Sequence, residues 1–168
     1  MDNKSDLRII AKTKRKVLDI KNISSKLCNL LRQKDYYINA QNILLFYPLK
    51  YEIDTLELLN DNKNFYFPKV QGKELLICPY SGEFKKSDLN IMEPCSAPVA
   101  PAILDLIIVP ALMIDVQNYR LGYGGGFYDR LLAENPDITT VSLLPREFFI
   151  TELPHDKFDV PVKHTIFV

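Results

Sequence analysis

The stretch RLGYGGGFYDR, residues 120–130, holds four of the chain's six glycines within five positions. Glycine permits positive φ angles and close approach of the backbone to a ligand, and successive backbone N–H groups can form an anion-binding nest. A helix predicted over 127–135 would add its unpaired N–H groups and the positive end of its dipole. The pattern indicates phosphate binding, although the lysine of a P-loop is missing and Phe127 stands where a dinucleotide fingerprint has glycine. A tight structural turn is the alternative.

Asp129 lies in the first turn of that helix, and two interpretations of it stay open. An acidic side chain there complements the helix dipole. If phosphates occupy the nest, however, a bare carboxylate would repel them unless Mg²⁺ bridges carboxylate and phosphate oxygens. Arg120 and Arg130 then offer counter-charge on either side, because the guanidinium group donates two hydrogen bonds to a phosphate.

The elements that must position this loop follow from apolar periodicity. Helical spacing predicts a helix over 4–19 and a second one that ends near QKD, and Asp54 with Glu57 resembles a capping box that opens a short helix. Residues 87–104 contain three prolines and are expected to form a long ordered loop. Apolar runs predict strands at 42–47, 64–70, 73–80, 105–109, 139–144 and 164–168.

Strands that alternate with helices predict an α/β fold with a largely parallel sheet, in which ligands bind beyond the carboxyl ends of the strands. The length of 168 residues predicts a single domain over 1–168. No segment has the roughly 20 apolar residues of a membrane span, and the N-terminus MDNKSDLR is too charged for a signal peptide. We therefore expect a cytoplasmic protein that does not bind membranes.

Charge and cysteine content exclude other classes of protein. Lys plus Arg and Asp plus Glu number 21 each, which gives no support for nucleic-acid binding. The basic run KTKRK, residues 12–16, is expected to be a solvated helix face, with a phosphate or RNA contact as the alternative. Cys28, Cys78 and Cys95 are far apart and odd in number, so we expect buried free thiols rather than a zinc site or disulfides.

Several ordered motifs resemble the 5-formyltetrahydrofolate cyclo-ligase family, also called methenyltetrahydrofolate synthetases. The glycine loop is preceded by DLIIVPALMID, and the resemblance continues through YPLKYEIDT, FYFPKV, IMEP and ELPHDKFDVPV. It implies a three-layer α/β/α sandwich with a largely parallel mixed sheet, related to sugar-phosphate isomerases and CoA transferases. It also implies a monomeric enzyme with ATP as co-substrate and Mg²⁺ as cofactor, which converts 5-formyltetrahydrofolate into 5,10-methenyltetrahydrofolate and releases ADP and phosphate.

The resemblance implies roles for matching residues. Contacts to ATP are implied for Lys4, Arg8, Arg120, Leu121, Gly122, Tyr123, Gly124, Gly125, Gly126, Phe127 and Tyr128. Contacts to the folate substrate are implied for Tyr47, Glu52, Tyr123, Gly124, Gly125, Gly126 and Phe127. Catalytic cations are implied at Lys4, Arg8 and Arg120, and magnesium ligands at Asp129 and Asp159.

Three residues depart from the family pattern. Asn118 replaces a glycine, and asparagine tolerates a left-handed backbone. Phe148 replaces a common glutamine, and Lys163 replaces a common acidic residue. His155 and His164 are expected to be surface or structural residues, because the implied chemistry needs no Ser-His-Asp or Cys-His set.

Two other classes remain as alternatives. A sugar-phosphate isomerase or CoA-transferase-like enzyme would also use a glycine loop, but it would need no ATP. A folate- or RNA-binding module would bind without releasing ADP.

Overall fold

The computed structural model describes residues 3–88 and 90–168, so the first two residues of the charged N-terminus lie outside the described part. The α-helices within it are α1 (Lys4–Arg15), α2 (Ile20–Leu31), α3 (Asp35–Asn39) and α4 (Phe127–Glu134). The strands are β1 (Asn42–Leu44), β2 (Asn64–Gln71), β3 (Glu74–Pro79), β4 (Phe84–Lys86), β5 (Met92–Pro94), β6 (Leu106–Ile108), β7 (Met113–Asp115), β8 (Arg120–Leu121), β9 (Thr139–Leu144), β10 (Phe149–Ile150) and β11 (His164–Phe167).

The main sheet has six strands in the order β11-β9-β6-β1-β2-β3. All neighbouring strands pair in parallel except β2 and β3, which form an antiparallel hairpin. Side chains in the middle of this sheet are buried on both faces, as the continuous apolar runs predict. The prediction of an α/β fold with a largely parallel mixed sheet is confirmed.

Two hydrophobic cores lie on opposite faces of the main sheet. In β6, Ile107 belongs to the core that includes residues of α1 and α4. Its neighbours Leu106 and Ile108 belong to the core that includes residues of α2 and α3. Successive side chains of a strand point to opposite faces, so this alternation places helices on both sides of the sheet and confirms the three-layer sandwich.

The first helix begins where predicted and ends earlier. Asn3 caps α1, and its side chain accepts hydrogen bonds from the backbone N–H groups of Ser5 and Asp6. The helix ends at Arg15 rather than at residue 19, because Asp19 serves instead as the N-cap of α2. Its carboxylate accepts a hydrogen bond from the backbone N–H of Asn22, which sets the start of the second helix.

The prediction of a capping box at Asp54 and Glu57 is wrong, because its reciprocal hydrogen bonds do not form. A short 3₁₀ helix does follow, over Leu56–Asn60, but its N-cap Thr55 makes no side-chain capping bond. The Asp54 carboxylate accepts a hydrogen bond from the backbone N–H of Leu56. Glu57 instead pairs with Arg32 of α2 at 2.8 Å, an interaction between elements that local spacing does not reveal.

Residues 87–104, expected to be one long loop, contain strand β5 and a short 3₁₀ helix over Pro101–Ile103. Strand β5 pairs with β4 in an antiparallel hairpin, so the expectation that this whole stretch is one long ordered loop is wrong for this part. Proline conceals this strand in the sequence. Pro94, the last residue of β5, cannot donate a backbone hydrogen bond, so a proline-rich stretch is not expected to contain a strand.

A further hairpin, β7–β8, separates the 105–109 strand from the glycine loop. The Asp115 carboxylate accepts hydrogen bonds from the backbone N–H groups of Gln117 and Tyr119, which closes the turn. Asn118 adopts a φ of 64° within this turn, so the prediction that asparagine tolerates the left-handed backbone is confirmed. The hairpin places Arg120 immediately before the glycine loop.

Among the residues that the structure describes, no helix is both long and apolar enough to cross a membrane. All three cysteines are free. Cys28 and Cys78 are buried as predicted, whereas Cys95 is exposed, because it follows β5 on the surface of the hairpin.

Candidate active site

A cavity of about 710 Å³ lies where the N-terminus of α1, the segment after β1, the glycine loop and the loop before β11 meet. Every residue that the sequence predicts for the site lines it: Lys4, Arg8, Tyr47, Glu52, residues 120–128, Asp129 and Asp159. Pro68, Val70, Leu75 and Met92 supply apolar walls from the hairpins. The cavity thus has a highly charged end and an apolar end, which suits a ligand with both kinds of group.

The glycine loop adopts a conformation that needs glycine at two positions. Gly124 has a φ of 106°, and Gly126, the N-cap of α4, has a φ of 66°. The carbonyl oxygens of Gly122 and Gly125 accept hydrogen bonds from Arg8 at 2.8 Å and Arg130 at 3.0 Å. In contrast, the hydrogen bonds found in the described part of the chain use none of the backbone N–H groups of residues 123–126.

Arg120 forms the floor of the charged end. Its side chain is only 5% exposed, and its Nη2 lies 3.0 Å from Oδ1 of Asp129. Within the described residues, neither Nε of Arg120 nor the buried hydroxyl of Tyr128 has a hydrogen-bond partner. Burial lowers the pKa of Arg120 and raises the pKa of Tyr128. An unsatisfied buried donor is costly, and both atoms are closed off from solvent in the unliganded protein, so phosphate oxygens would reach them only after these side chains move.

Lys4 and the loop before β11 close the other side of the charged end. The ammonium group of Lys4 donates to Oδ2 of Asp159 and lies 3.5 Å from a carboxylate oxygen of Asp156. The same Asp159 oxygen accepts a hydrogen bond from the backbone N–H of Asp156. Asp129 in turn accepts from the backbone N–H of Val160, so this loop connects both predicted metal ligands.

The donor set fits magnesium in chemistry, because Asp129 and Asp159 offer only carboxylate oxygens and Mg²⁺ is usually held by one or two carboxylates plus phosphates and waters. In the described ranges, no group of three or more metal-ligating side chains forms a complete protein cage. Each of the two carboxylates already faces a cationic side chain. The arrangement therefore suits a metal ion that arrives together with phosphate.

Glu52 is a buried carboxylate at the cavity wall. It is 6% exposed, and its Oε2 accepts a hydrogen bond from the backbone N–H of Leu49 at 2.7 Å. Burial raises its pKa, while the Leu49 bond and the nearby Tyr123 and Arg15 act in the opposite direction. Tyr47 lines the same cavity and packs edge-on against Phe84, with ring centroids 5.0 Å apart. These side chains offer an acceptor and an aromatic wall.

Comparison with known proteins assigns the family. The family model described as the 5-formyltetrahydrofolate cyclo-ligase family matches residues 2–168. The chain belongs to this family. It is 32% identical, over 80% of its own length and 77% of the relative's, to the 5-formyltetrahydrofolate cyclo-ligase of Haemophilus influenzae. It is 25% identical to the mouse cyclo-ligase, over 82% of this chain and 80% of that one.

Solved structures agree with the assignment of a cyclo-ligase fold. The NMR structure of 5,10-methenyltetrahydrofolate synthetase from Aquifex aeolicus superposes with a TM-score of 0.85 at 29% identity, covering 98% of this chain and 89% of that one. The synthetase structure from Mycoplasma pneumoniae, at 21% identity and a TM-score of 0.79, covers 99% of this chain and 98% of that one, and supports the fold. The predicted family and enzyme class are confirmed.

All three departures from the cyclo-ligase pattern, Asn118, Phe148 and Lys163, lie outside the cavity lining. Phe148 is fully buried in the core, and Lys163 is exposed at the start of β11. His155 and His164 are exposed and stack on Tyr119 and Tyr36, as expected for surface or structural histidines.

Sequence reasoning about the cyclo-ligase missed two cavity-lining residues, Glu93 and Phe158, and the burial of Arg15. Arg15 falls in the basic run but is 1% exposed, because its Nη2 donates to the carbonyl oxygens of Ala111 and Leu112. Glu93 is a buried carboxylate that lines the cavity and accepts a hydrogen bond from the backbone N–H of Val70. It belongs to the IMEP motif, which suggests no role for it. Phe158 lines the charged end, and its position beside Asp159 was the signal available.

Proposed function

We propose that this chain catalyses the ATP- and Mg²⁺-dependent conversion of 5-formyltetrahydrofolate into 5,10-methenyltetrahydrofolate, with release of ADP and phosphate. The observation that carries the proposal is the convergence on one cavity of three cations, Lys4, Arg8 and Arg120, with the glycine loop and the buried carboxylate of Glu52. Family membership supports the same activity, since the relatives named above are called cyclo-ligases or methenyltetrahydrofolate synthetases.

The chemistry explains why the groups that bind phosphate and the groups that bind folate must share one cavity. A formyl amide is a poor electrophile, because its nitrogen donates electrons into the carbonyl group. Transfer of the γ-phosphoryl group to the formyl oxygen releases ADP and turns that oxygen into a leaving group. N10 of the folate then attacks the carbon, loses its proton, and phosphate leaves to complete the methenyl bridge. The nucleotide phosphates must therefore lie next to N5 and N10 of the folate.

The protein's part is positioning and charge neutralisation, which dominate phosphoryl transfer. Lys4, Arg8 and Arg120 would hold the phosphates, together with the N–H groups of residues 123–126. Holding two substrates in register can supply about 7–11 kcal/mol of the barrier. When bound between Asp129 and Asp159, Mg²⁺ would neutralise phosphate charge.

Glu52, which lies in the same cavity close to Tyr123, would accept hydrogen bonds from polar N–H groups of the pterin ring. Its burial favours this role, because a desolvated carboxylate that regains donors from a ligand binds it strongly. Tyr47 would pack against a ring of the folate, held in place by Phe84.

The test is a turnover assay with purified protein, Mg·ATP and 5-formyltetrahydrofolate, followed by the near-UV absorbance of the methenyl product. We expect product only when folate, ATP and Mg²⁺ are all present, with one ADP released per product. Product without ATP would support an isomerase-like activity. Folate binding without ADP release would support a binding module, and either result would refute the proposal.

A further inference from the structure

Phe158 is an aromatic side chain that lines the cavity and yet is largely solvent-exposed. It is 72% exposed, although the protein buries most of its large apolar side chains. Single exposed hydrophobic residues are common and need no function. Phe158 differs from the exposed Val17 and Val116, because it alone of these three lines the cavity.

The loop that carries Phe158 is fastened to the site on both sides of the ring. The backbone N–H of Phe158 donates to Oδ1 of Asp156 at 2.8 Å. Asp156 and Asp159 both face Lys4, and Val160 donates its N–H to Asp129. The backbone at Phe158 is therefore held next to the charged end of the cavity, while its ring stays exposed for a ligand.

We propose that Phe158 is the platform on which the base of the bound nucleotide stacks. The inference rests on the proposed function, in which the charged end takes the nucleotide phosphates. A base joined through ribose to those phosphates must lie close by, and Phe158 is the most exposed of the aromatic rings that line the cavity, next to the Asp159 that pairs with Lys4. Lys157, whose ammonium group lies 5.0 Å from the ring centroid, flanks the same ring.

Recognition by stacking has a definite chemical signature. Every base has a π-face, and stacking on an aromatic side chain strengthens with ring size rather than through specific hydrogen bonds. Phe158 should therefore contribute affinity for purine nucleotides and nothing to the affinity for inorganic polyphosphate. The folate rings are the other aromatic groups in the reaction, and under the proposed function they contact Glu52 and Tyr47.

The experiment compares two ligands that share phosphates and differ in the base. Binding of MgADP and of magnesium tripolyphosphate is measured by calorimetry for the wild type, Phe158→Ala, Phe158→Tyr and the control Val116→Ala. We expect Phe158→Ala to weaken MgADP binding on the order of tenfold and to leave tripolyphosphate binding unchanged. Phe158→Tyr and Val116→Ala should bind both ligands like the wild type.

Two results would overturn the inference while leaving the proposed function intact. One is unchanged MgADP affinity in Phe158→Ala. The other is a loss in that variant that falls on 5-formyltetrahydrofolate instead, which would place the ring against the folate. If the wild type itself binds neither MgADP nor tripolyphosphate, the proposed function fails together with the inference.

Discussion

Lys4 and Asp159 are 155 positions apart in the sequence and form an ion pair across the mouth of the cavity. The pair joins the first turn of α1 to the loop before β11, and both side chains are partly exposed. Both residues are predicted to bind different parts of Mg·ATP, the lysine a phosphate and the aspartate the metal. Binding of Mg·ATP must therefore break this ion pair, after which Lys4 pairs with a phosphate and Asp159 with the metal ion.

Replacing Lys4 by methionine should change the affinities for nucleotide and for free metal in opposite directions. Lys4→Met loses a phosphate contact, so we expect MgADP to bind about tenfold more weakly. The same change removes the cation that competes for Asp159, so free Mn²⁺ should bind more tightly than to the wild type. Calorimetry with each ligand tests both expectations. Mn²⁺ affinity that falls along with nucleotide affinity would show that Lys4 does not compete with the metal.

Replacing Asp129 by asparagine should stop turnover and also lower stability. The effect on stability arises because Asp129 is the carboxylate beside the buried Arg120. Without it, we expect a loss on the order of 2 kcal/mol in unfolding free energy, because a buried guanidinium loses its counter-charge. Asp159→Asn removes a more exposed pair and should stop turnover at near-native stability. Chemical denaturation and the absorbance assay, run on both variants, check this. Full activity of either variant in Mg²⁺ would reject its role as a metal ligand.

Glu52→Gln should weaken folate binding and stabilise the unliganded protein at higher pH. Burial raises the pKa of Glu52 in the folded protein above that of an ordinary carboxyl group. The free energy of unfolding is therefore highest below the ordinary carboxyl pKa, where Glu52 is neutral in both states. It falls as pH rises through the raised pKa, because the buried side chain must then ionise. Glutamine cannot ionise and keeps an acceptor for the Leu49 N–H, so its advantage in melting temperature should grow with pH. Arg15 and Tyr123 are the ionisable groups near this carboxyl.

For binding, we expect Glu52→Gln to raise the KM for 5-formyltetrahydrofolate about tenfold and leave the KM for ATP nearly unchanged. Steady-state kinetics with each substrate varied in turn separate the two values. An equal rise in both KM values would mean that Glu52 supports the cavity as a whole rather than the folate.

Gly124→Ala should disturb nucleotide binding more than a matched glycine change elsewhere. A Cβ at Gly124 would lie 3.4 Å from the guanidinium carbon of Arg8, at a φ of 106°. Gly82 has a φ of 85° and no heavy atom within 4 Å of such a Cβ, so Gly82→Ala carries the backbone strain without the neighbour. Both variants should lose about 1 kcal/mol of stability. Only Gly124→Ala should bind MgADP more weakly than the wild type. If both variants bind MgADP with equal affinity, the packing of Arg8 against the glycine loop does not contribute to nucleotide binding.

The sequence predicts the main sheet well because its signals are local. Apolar runs at β6 and β9 identify buried strands, and the glycines mark the start of α4. The β7–β8 hairpin and the β4–β5 hairpin are missed, because strands of two or three residues are too short to show an alternating apolar pattern. The early end of α1 depends on Asp19 capping the next helix, a competition that periodicity does not show.

The candidate site is predicted as a set of residues but not as a set of contacts. Family motifs bring Lys4, Glu52 and the glycine loop into one cavity. The motifs do not say that Arg120 is buried against Asp129 or that Asp159 is paired with Lys4. Nor does the basic run KTKRK reveal that Arg15 points inward, because burial of one cation in a charged helix depends on carbonyl acceptors contributed by residues 111 and 112.

The most direct test is a crystal structure with MnADP, in which anomalous scattering locates the metal. We predict one metal ion bound by carboxylate oxygens of Asp129 and Asp159 and by a phosphate, with the phosphates on the N–H groups of the glycine loop. Lys4 should have left Asp159 for a phosphate oxygen. A nucleotide bound elsewhere, or a glycine loop left empty at saturating MnADP, would contradict the account.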